Sequence, residues 1–140
     1  MSRLLLRRPV LSWALYDWAN SAFATTVLAG FFPIFFKQFW ASGAEVTVST
    51  FRLGLANSGA ALLVAILAPL LGAIADRGGA RKKGLVLFAV FGAAMSAGLF
   101  FIGAGDWLTA TLVFAAGSVG FALANVFNDS MIIDVAEDRE

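Results

Sequence analysis

Four apolar stretches, each long enough to cross a lipid bilayer, constrain this chain more than any other feature. They lie at about 11–36, 53–75, 84–102 and 107–127. A helix needs about 20 residues to cross the hydrocarbon core, where backbone polar groups can bond only to one another. The sequence therefore predicts an all-α, polytopic membrane protein with four transmembrane helices.

Composition limits the chemistry that such a protein can perform. Hydrophobic residues make up 60% of the chain and charged residues 14%, against about 25% charged in soluble domains. The sequence contains no cysteine and no histidine, so a proton could be carried only by a carboxylate. It shows neither a nucleophile–base pair nor a phosphate-binding loop. We expect a protein that is not an enzyme, with no cofactor, no metal and no nucleic-acid partner.

The distribution of positive charge predicts the orientation. Eight of the ten Lys and Arg residues lie before the first span, in the hairpin 76–83 or after the fourth span, and only Lys37 and Arg52 lie on the other side. Positive residues collect on the cytoplasmic side of a membrane. We therefore expect a multi-pass protein with both termini in the cytoplasm, in a bacterial inner membrane, with the lipid bilayer as its first partner.

The connections between the spans are short, which favours antiparallel neighbours. The longest, at about 37–52, is polar and is predicted to be an exposed extracytoplasmic loop. Asp106 stands where it can cap the fourth helix. Small residues are dense at 92–98 and 115–120. In lipid such residues let helices approach closely, so we interpret them as helix contacts and not as a binding site.

Polar residues align on the first and fourth spans. At about 3.6 residues per turn, Asp17, Asn20 and Ser21 share one side of the first span. In the fourth span, a stripe is formed by Thr111, Ser118, Asn125 and Asp129. Because the second and third spans are largely apolar, we expect the first and fourth to share a polar seam. The candidate residues of a solute path are Asp17, Asn20, Ser21, Ser118 and Asn125.

Asp17 has two interpretations. If the first span begins near residue 11, the carboxylate lies about two turns inside it, where a charge needs a partner or water. It would then bind solute or take a proton. If the span begins near residue 19, Asp17 lies among the headgroups beside Trp13, Tyr16 and Trp18.

The hairpin 76–83 lies within a charged motif. The pattern Gly-x-x-x-Asp-Arg-x-Gly-x-Arg-Lys is formed by Gly72, Asp76, Arg77, Gly79, Arg81 and Lys82. It resembles the loop between the second and third helices of the major facilitator superfamily of secondary transporters. The resemblance implies a gate between two transporter halves. The alternative is a simple turn with cytoplasmic charges. Asp129 and Asp134 are either solvated or ion-pair partners of this hairpin.

A second segment, 12–27, contains Tyr16-Asp17-Trp18-Ala19-Asn20-Ser21. It resembles the first-helix signature of the branch of that superfamily that holds fungal vacuolar amino-acid effluxers and their bacterial relatives. The resemblance implies four helices of an N-terminal six-helix half, with the first and fourth helices lining a central cavity and the third facing outward. It also implies efflux of a small solute by alternating access, with a proton as a candidate coupling ion.

Two departures from that pattern keep alternatives open. The fourth span contains no Lys or Arg, unlike many drug–proton antiporters of the superfamily. The chain also has four spans, where both halves together would have twelve. We therefore expect residues 1–140 to be an incomplete N-terminal domain that needs a second half or an oligomer partner. The alternatives are a four-helix exporter that works as a dimer and a membrane subunit that does not transport.

Overall fold

Four long helices form the part of the chain that the structure describes, as the apolar stretches predict. A computed structural model describes residues 8–76 and 80–132, and no strand occurs in these two ranges. The second helix is Val46–Asp76, the third is Arg81–Gly98 with a 3₁₀ turn at Leu99–Phe101, and the fourth is Trp107–Ser130. The first helix runs from Arg8 to Trp40. All four are long and apolar enough to cross a membrane, which confirms the all-α class of transmembrane helices.

The first helix changes its winding along its length. It is α-helical at Arg8–Phe23 and at Phe32–Phe35, and π-helical at Ala24–Phe31 and Phe36–Trp40. Pro33 lies between the two wide segments, and the Phe32 N–H bonds to the Val27 carbonyl, five residues back. Proline lacks an N–H, and its ring crowds the carbonyl four residues before it. A wider turn relieves that crowding and changes which side chains face the neighbouring helix.

The connection between the first two helices is shorter than the sequence predicts. The expected loop at 37–52 was too long, because the first helix continues to Trp40 and the second begins at Val46. The Ala41 N–H closes the last wide turn on the Phe36 carbonyl at 2.7 Å. Gly43 then reverses the chain with a φ of 89°, a conformation that glycine adopts without steric cost.

The fourth helix is the centre of the fold. Its buried residues include Ala110, Phe114, Val119, Leu123, Ala124 and Phe127. Phe114 stacks on Phe32 of the first helix, with ring centroids 3.6 Å apart. Val119 and Leu123 form a cluster with Ala60 of the second helix. The other three helices therefore pack around the fourth, which fixes their relative positions.

Glycines bring the third and fourth helices together. A Cβ added at Gly120 would lie 2.9 Å from the Gly92 backbone nitrogen, and one added at Gly117 would lie 3.4 Å from Met95 Cβ. The prediction that the small-residue segments are helix contacts is confirmed at Gly92, Gly117 and Gly120.

The end of the bundle that carries the 41–45 turn is tied by polar contacts. The Trp40 indole donates to the Ile102 carbonyl at 3.2 Å, and the Gly105 N–H donates to the Phe39 carbonyl at 3.1 Å. Asp106 accepts the Thr109 N–H at 3.2 Å, so the predicted cap of the fourth helix is confirmed. These contacts fix the first helix against the turn between the third and fourth.

Candidate substrate path

A polar seam joins the first and fourth helices. The side-chain amide of Asn20 donates to the side-chain oxygen of Asn125. One end of the seam is closed by the Trp13 indole, which donates to the Asn128 carbonyl at 3.2 Å. On the other side of the amide pair, Phe23 packs on Phe121 with ring centroids 5.7 Å apart. The predicted contact between the polar faces of these two helices is present at the amide pair.

Asp17 and Ser21 stand beside this amide pair and are exposed. Helical spacing places both on one flank of Asn20, while Tyr16 and Ala19 occupy the opposite flank. Tyr16 and Ala19 line a cavity of about 180 Å³ against the third helix. Asp17 and Ser21 therefore face away from the third helix, toward the open side of the bundle.

The fourth helix contributes to the same open side. Ser118 precedes Asn125 by seven residues and is half-buried, and Asp129 follows it by four and is exposed. Both keep close to the angular position of Asn125. Thr111 belongs to the same sequence stripe, but it is buried and its hydroxyl donates to the Trp107 carbonyl at 2.6 Å. The stripe is therefore at least partly exposed at Ser118 and Asp129 but not at Thr111.

The second helix closes the far edge of this region. It packs on the fourth through Ala60, Val64 and Leu67, and spacing places Asn57 on one flank of this contact. Asn57 is exposed. We use the name open groove for the exposed side of the first, second and fourth helices on which helical spacing places these polar residues. Its polar residues are Asp17, Ser21, Asn57, Ser118 and Asp129, beside the Asn20–Asn125 pair.

Two members of the seam, Trp13 and Asn128, are not among the residues singled out by the polar stripes. Asn128 is 1% exposed, and its side-chain oxygen has no hydrogen-bond partner among the described residues. Its position three residues after Asn125, on the helix face that meets Trp13, is the signal that could have identified it. The buried side-chain oxygen of Asn128 is therefore an acceptor that no described residue satisfies.

The structure describes only part of the predicted gate. Arg81 and Lys82 begin the third helix, and Lys82 is exposed. Gly72 lies on an open face of the second helix, because a Cβ there would meet nothing within 4 Å. The Asp76 side chain, Arg77, Gly79 and Asp134 lie outside the described residues. The predicted ion pairs with Asp129 and Asp134 stay predictions.

The fold and groove define a helical membrane protein with a polar face built from its first, second and fourth helices. A family described as "MFS/sugar transport protein" matches residues 1–140. The chain is also 40% identical, over 129 residues, to the "Uncharacterized MFS-type transporter YxiO" of Bacillus subtilis (strain 168). This match covers 91% of the chain and 30% of the relative. No solved structure matches the chain significantly.

The chain therefore belongs to the MFS/sugar transport protein family, a family of membrane transporters. It spans 30% of the length of the curated relative that it matches. The major facilitator resemblance of the hairpin and of the first span is confirmed at the level of the superfamily.

Proposed function

We propose that the chain forms part of the N-terminal half of a transporter that moves a small solute by alternating access, with an amino acid as the first candidate. The open groove supplies one wall of the solute path, and an opposing half supplies the other. The relative's greater length supports this arrangement, since most of that protein has no counterpart in these 140 residues. We place the protein in the bacterial inner membrane.

The observation that carries the proposal is the amide pair with Asp17 at its side. Asn20 and Asn125 bond to each other across two helices, and this holds the path residues of both helices in one place. Asp17 and Ser21 flank the pair on its exposed side. A carboxylate beside amide and hydroxyl groups suits a solute that carries an ammonium group and hydrogen-bonding oxygens.

Asp17 is also the proposed carrier of a coupled proton. The sequence has no histidine, and Asp17 is an exposed carboxylate within the first helix as the structure has it. A carboxylate that alternates between the charged and neutral forms couples solute binding to proton movement. Sugars are the second candidate solute, because the family's description includes sugar transport and paired amides also bind hydroxyl groups.

Asp17→Asn is expected to lower the initial rate of solute uptake by about 30-fold, because the ammonium loses its charged partner while the size of the side chain is kept. The rate would be measured in proteoliposomes under a pH gradient, with labelled neutral amino acids and monosaccharides. Both the 140-residue chain and the complete reading frame that contains it would be used.

Asp106→Asn is the matched control for that assay. It removes the same charge, yet asparagine caps a helix as well as aspartate does, so uptake should match the unmodified protein. Equal uptake by the Asp17→Asn variant and this control would contradict the role of Asp17. Uptake of a monosaccharide and no amino acid would replace the amino-acid assignment with the sugar.

The hairpin 76–83 is proposed to lie in the cytoplasm and to act as the gate. Because the chain lacks cysteine, single cysteines can report on its position without background. Lys82→Cys should react with a membrane-impermeant maleimide only after the membrane is opened. Ser42→Cys, in the exposed turn at the other end of the bundle, should react in intact cells. The reverse pattern would invert the orientation.

Lys82→Cys also tests whether the hairpin acts as a gate. If the hairpin opens and closes during transport, a transported solute should change the labelling rate of Lys82→Cys in inside-out vesicles and leave that of Ser42→Cys unchanged. Identical rates with and without solute would show that the hairpin is a static turn.

A further inference from the structure

A second large cavity is not part of the open groove. It measures about 800 Å³ and lies between the second and fourth helices, with Phe91 of the third helix at its side. Small residues form its walls, among them Ala56 and Gly59 of the second helix and Ala115 and Ala116 of the fourth. Spacing places Gly59 and Asn57 on opposite flanks of the second helix. We call this cavity the apolar groove.

One end of the apolar groove carries a positive charge. The Arg52 guanidinium carbon stands 3.7 Å from the centroid of the Trp107 ring, and both residues line the groove. No carboxylate of the described residues pairs with Arg52. The other polar lining residue, Thr111, has its hydroxyl bonded to the Trp107 carbonyl at 2.6 Å. A ligand of this groove therefore meets one cation at the end and apolar walls elsewhere.

The free donors of Arg52 make an additional partner favourable. Arg52 is six residues beyond the helix start at Val46, about 9 Å along the axis, so it lies near one end of the second helix. Stacking on an aromatic ring satisfies none of the five guanidinium N–H groups. Phosphate matches that planar set of donors.

The length and apolar walls of the groove match the acyl chain of a lipid. The lining residues of the second helix extend from Val48 to Leu63, about 22 Å along the axis. At the rim, Phe51, Leu55 and Leu112 are 70%, 63% and 62% exposed, as side chains that contact lipid are. A long apolar trough with a cation at one end complements an amphiphile with an anionic head.

We propose that the apolar groove holds one acyl chain of an anionic phospholipid from the surrounding leaflet, and that Arg52 binds its phosphate. The lipid would occupy the space between the second and fourth helices and support the contact of Ala60 with Val119 and Leu123. This site is separate from the proposed solute path and does not depend on transport.

Quenching of tryptophan fluorescence by brominated lipid tests the site, because Trp107 lies at its charged end. The chain would be reconstituted in phosphatidylcholine vesicles with increasing amounts of phosphatidylglycerol brominated on its acyl chains. We expect half-maximal quenching at a lower mole fraction of brominated phosphatidylglycerol than of brominated phosphatidylcholine. Trp107→Phe should remove this preference, since the remaining tryptophans, at 13, 18 and 40, do not line the groove.

Charge variants identify the headgroup contact. Arg52→Gln should raise the mole fraction of brominated phosphatidylglycerol at half-quenching by about tenfold, as expected for loss of a charge-assisted contact. Lys37→Gln is the matched control, because Lys37 lies near the same end of the bundle but does not line the groove. An equal effect of the two variants would mean attraction by general surface charge and would overturn the site.

Glycine variants test the acyl chain contact. An added Cβ meets nothing within 4 Å at either Gly59 or Gly54, so the second helix should tolerate leucine at both positions. Gly59→Leu fills the groove and should abolish the preference, whereas Gly54→Leu, outside the groove, should keep it. If Gly59→Leu has no effect, or both lipids quench equally in the unmodified chain, the groove holds only annular lipid or is covered by protein, and the proposal fails.

Discussion

Gly120→Leu is expected to separate the third helix from the fourth. An added Cβ at this position lies 2.9 Å from the Gly92 nitrogen and 3.0 Å from the Gly92 Cα, and backbone atoms cannot rotate away as a side-chain end can. The two helices must move apart, which removes the close packing that holds them together in lipid. We expect a loss of at least about 3 kcal/mol in the free energy of unfolding. It would be measured by titration with SDS from mild detergent micelles.

The control for this prediction is Gly54→Leu, which adds the same side chain to a helical glycine with nothing within 4 Å of the new Cβ. Its SDS midpoint should match or exceed that of the unmodified chain, because glycine is a poor helix former. Gly120→Ala should have an intermediate effect, since the Cβ alone makes the short contacts. If the Gly120→Leu and Gly54→Leu variants have the same SDS midpoint, the third and fourth helices are not packed as described.

Phe32→Ala is expected to have the second large effect on stability. Phe32 is 2% exposed and lies on Phe114, which is 6% exposed, with an angle of 9° between the rings. Trp40 packs on Phe32 as well, at 5.5 Å between centroids. Removing the ring leaves a cavity in the cluster that joins the first and fourth helices. We expect a loss of about 3 kcal/mol, the lower end for such a change, because lipid is as apolar as the cluster.

Thermal unfolding followed by circular dichroism would measure this loss. Phe101→Ala is the matched control, since Phe101 is 84% exposed and its removal leaves no cavity. The melting temperature of the control should stay within about 2 °C of that of the unmodified chain. If the two variants melt at the same temperature, the first helix does not pack on the fourth through Phe32.

Helix number and one cap were predictable because they depend on local sequence. An apolar stretch of span length has no alternative to a helix in lipid, and Asp106 before Trp107 caps the next helix through its own side chain. The bounds near residues 37–52 were not predictable in the same way. Residues 37–40 stay helical where the Trp40 indole bonds to the Ile102 carbonyl. That contact joins residues 62 positions apart.

For the glycines too, the sequence predicted part of the packing and the tertiary structure decided the rest. A dense segment of small residues predicts that helices meet there, and this holds for the third and fourth helices. It does not predict which glycine meets which, because small residues occur on several faces of the same turn. A Cβ added at Gly92 would lie 3.4 Å from the Gly117 carbonyl oxygen and 3.6 Å from the Gly120 carbonyl carbon, while one added at Gly103 or Gly54 would meet nothing within 4 Å. The relative rotation of the helices makes that choice.

The polar stripes on the first and fourth spans predicted part of the candidate site. The stripes brought Asn20 and Asn125 to facing helices, and their hydrogen bond joins them. They also included Thr111, which is bonded within its own helix, and they omitted Asn128, which is buried beside Trp13. A stripe shows which side of one helix is polar, but not whether a neighbour covers it.

The first helix shows most clearly what tertiary structure adds. On an ideal α-helix, Asn20 and Phe32 are twelve residues apart and point about 120° away from each other. Both nevertheless contact the fourth helix, at Asn125 and Phe114. The π-helical turns at Ala24–Phe31 lie between them. A π turn holds more residues than an α turn, so it rotates the second half of the helix back onto the same face.

The sequence by itself determined that this chain carries four apolar spans and resembles the major facilitator superfamily, because apolar length, charge position and the hairpin motif are local properties. Only the tertiary structure decided that the fourth helix is the centre, that the amide pair joins it to the first, and that Arg52 lies on Trp107 at the end of an apolar groove. Each of these contacts depends on how one helix is rotated against another. In lipid that rotation is set by close packing, which no single helix contains.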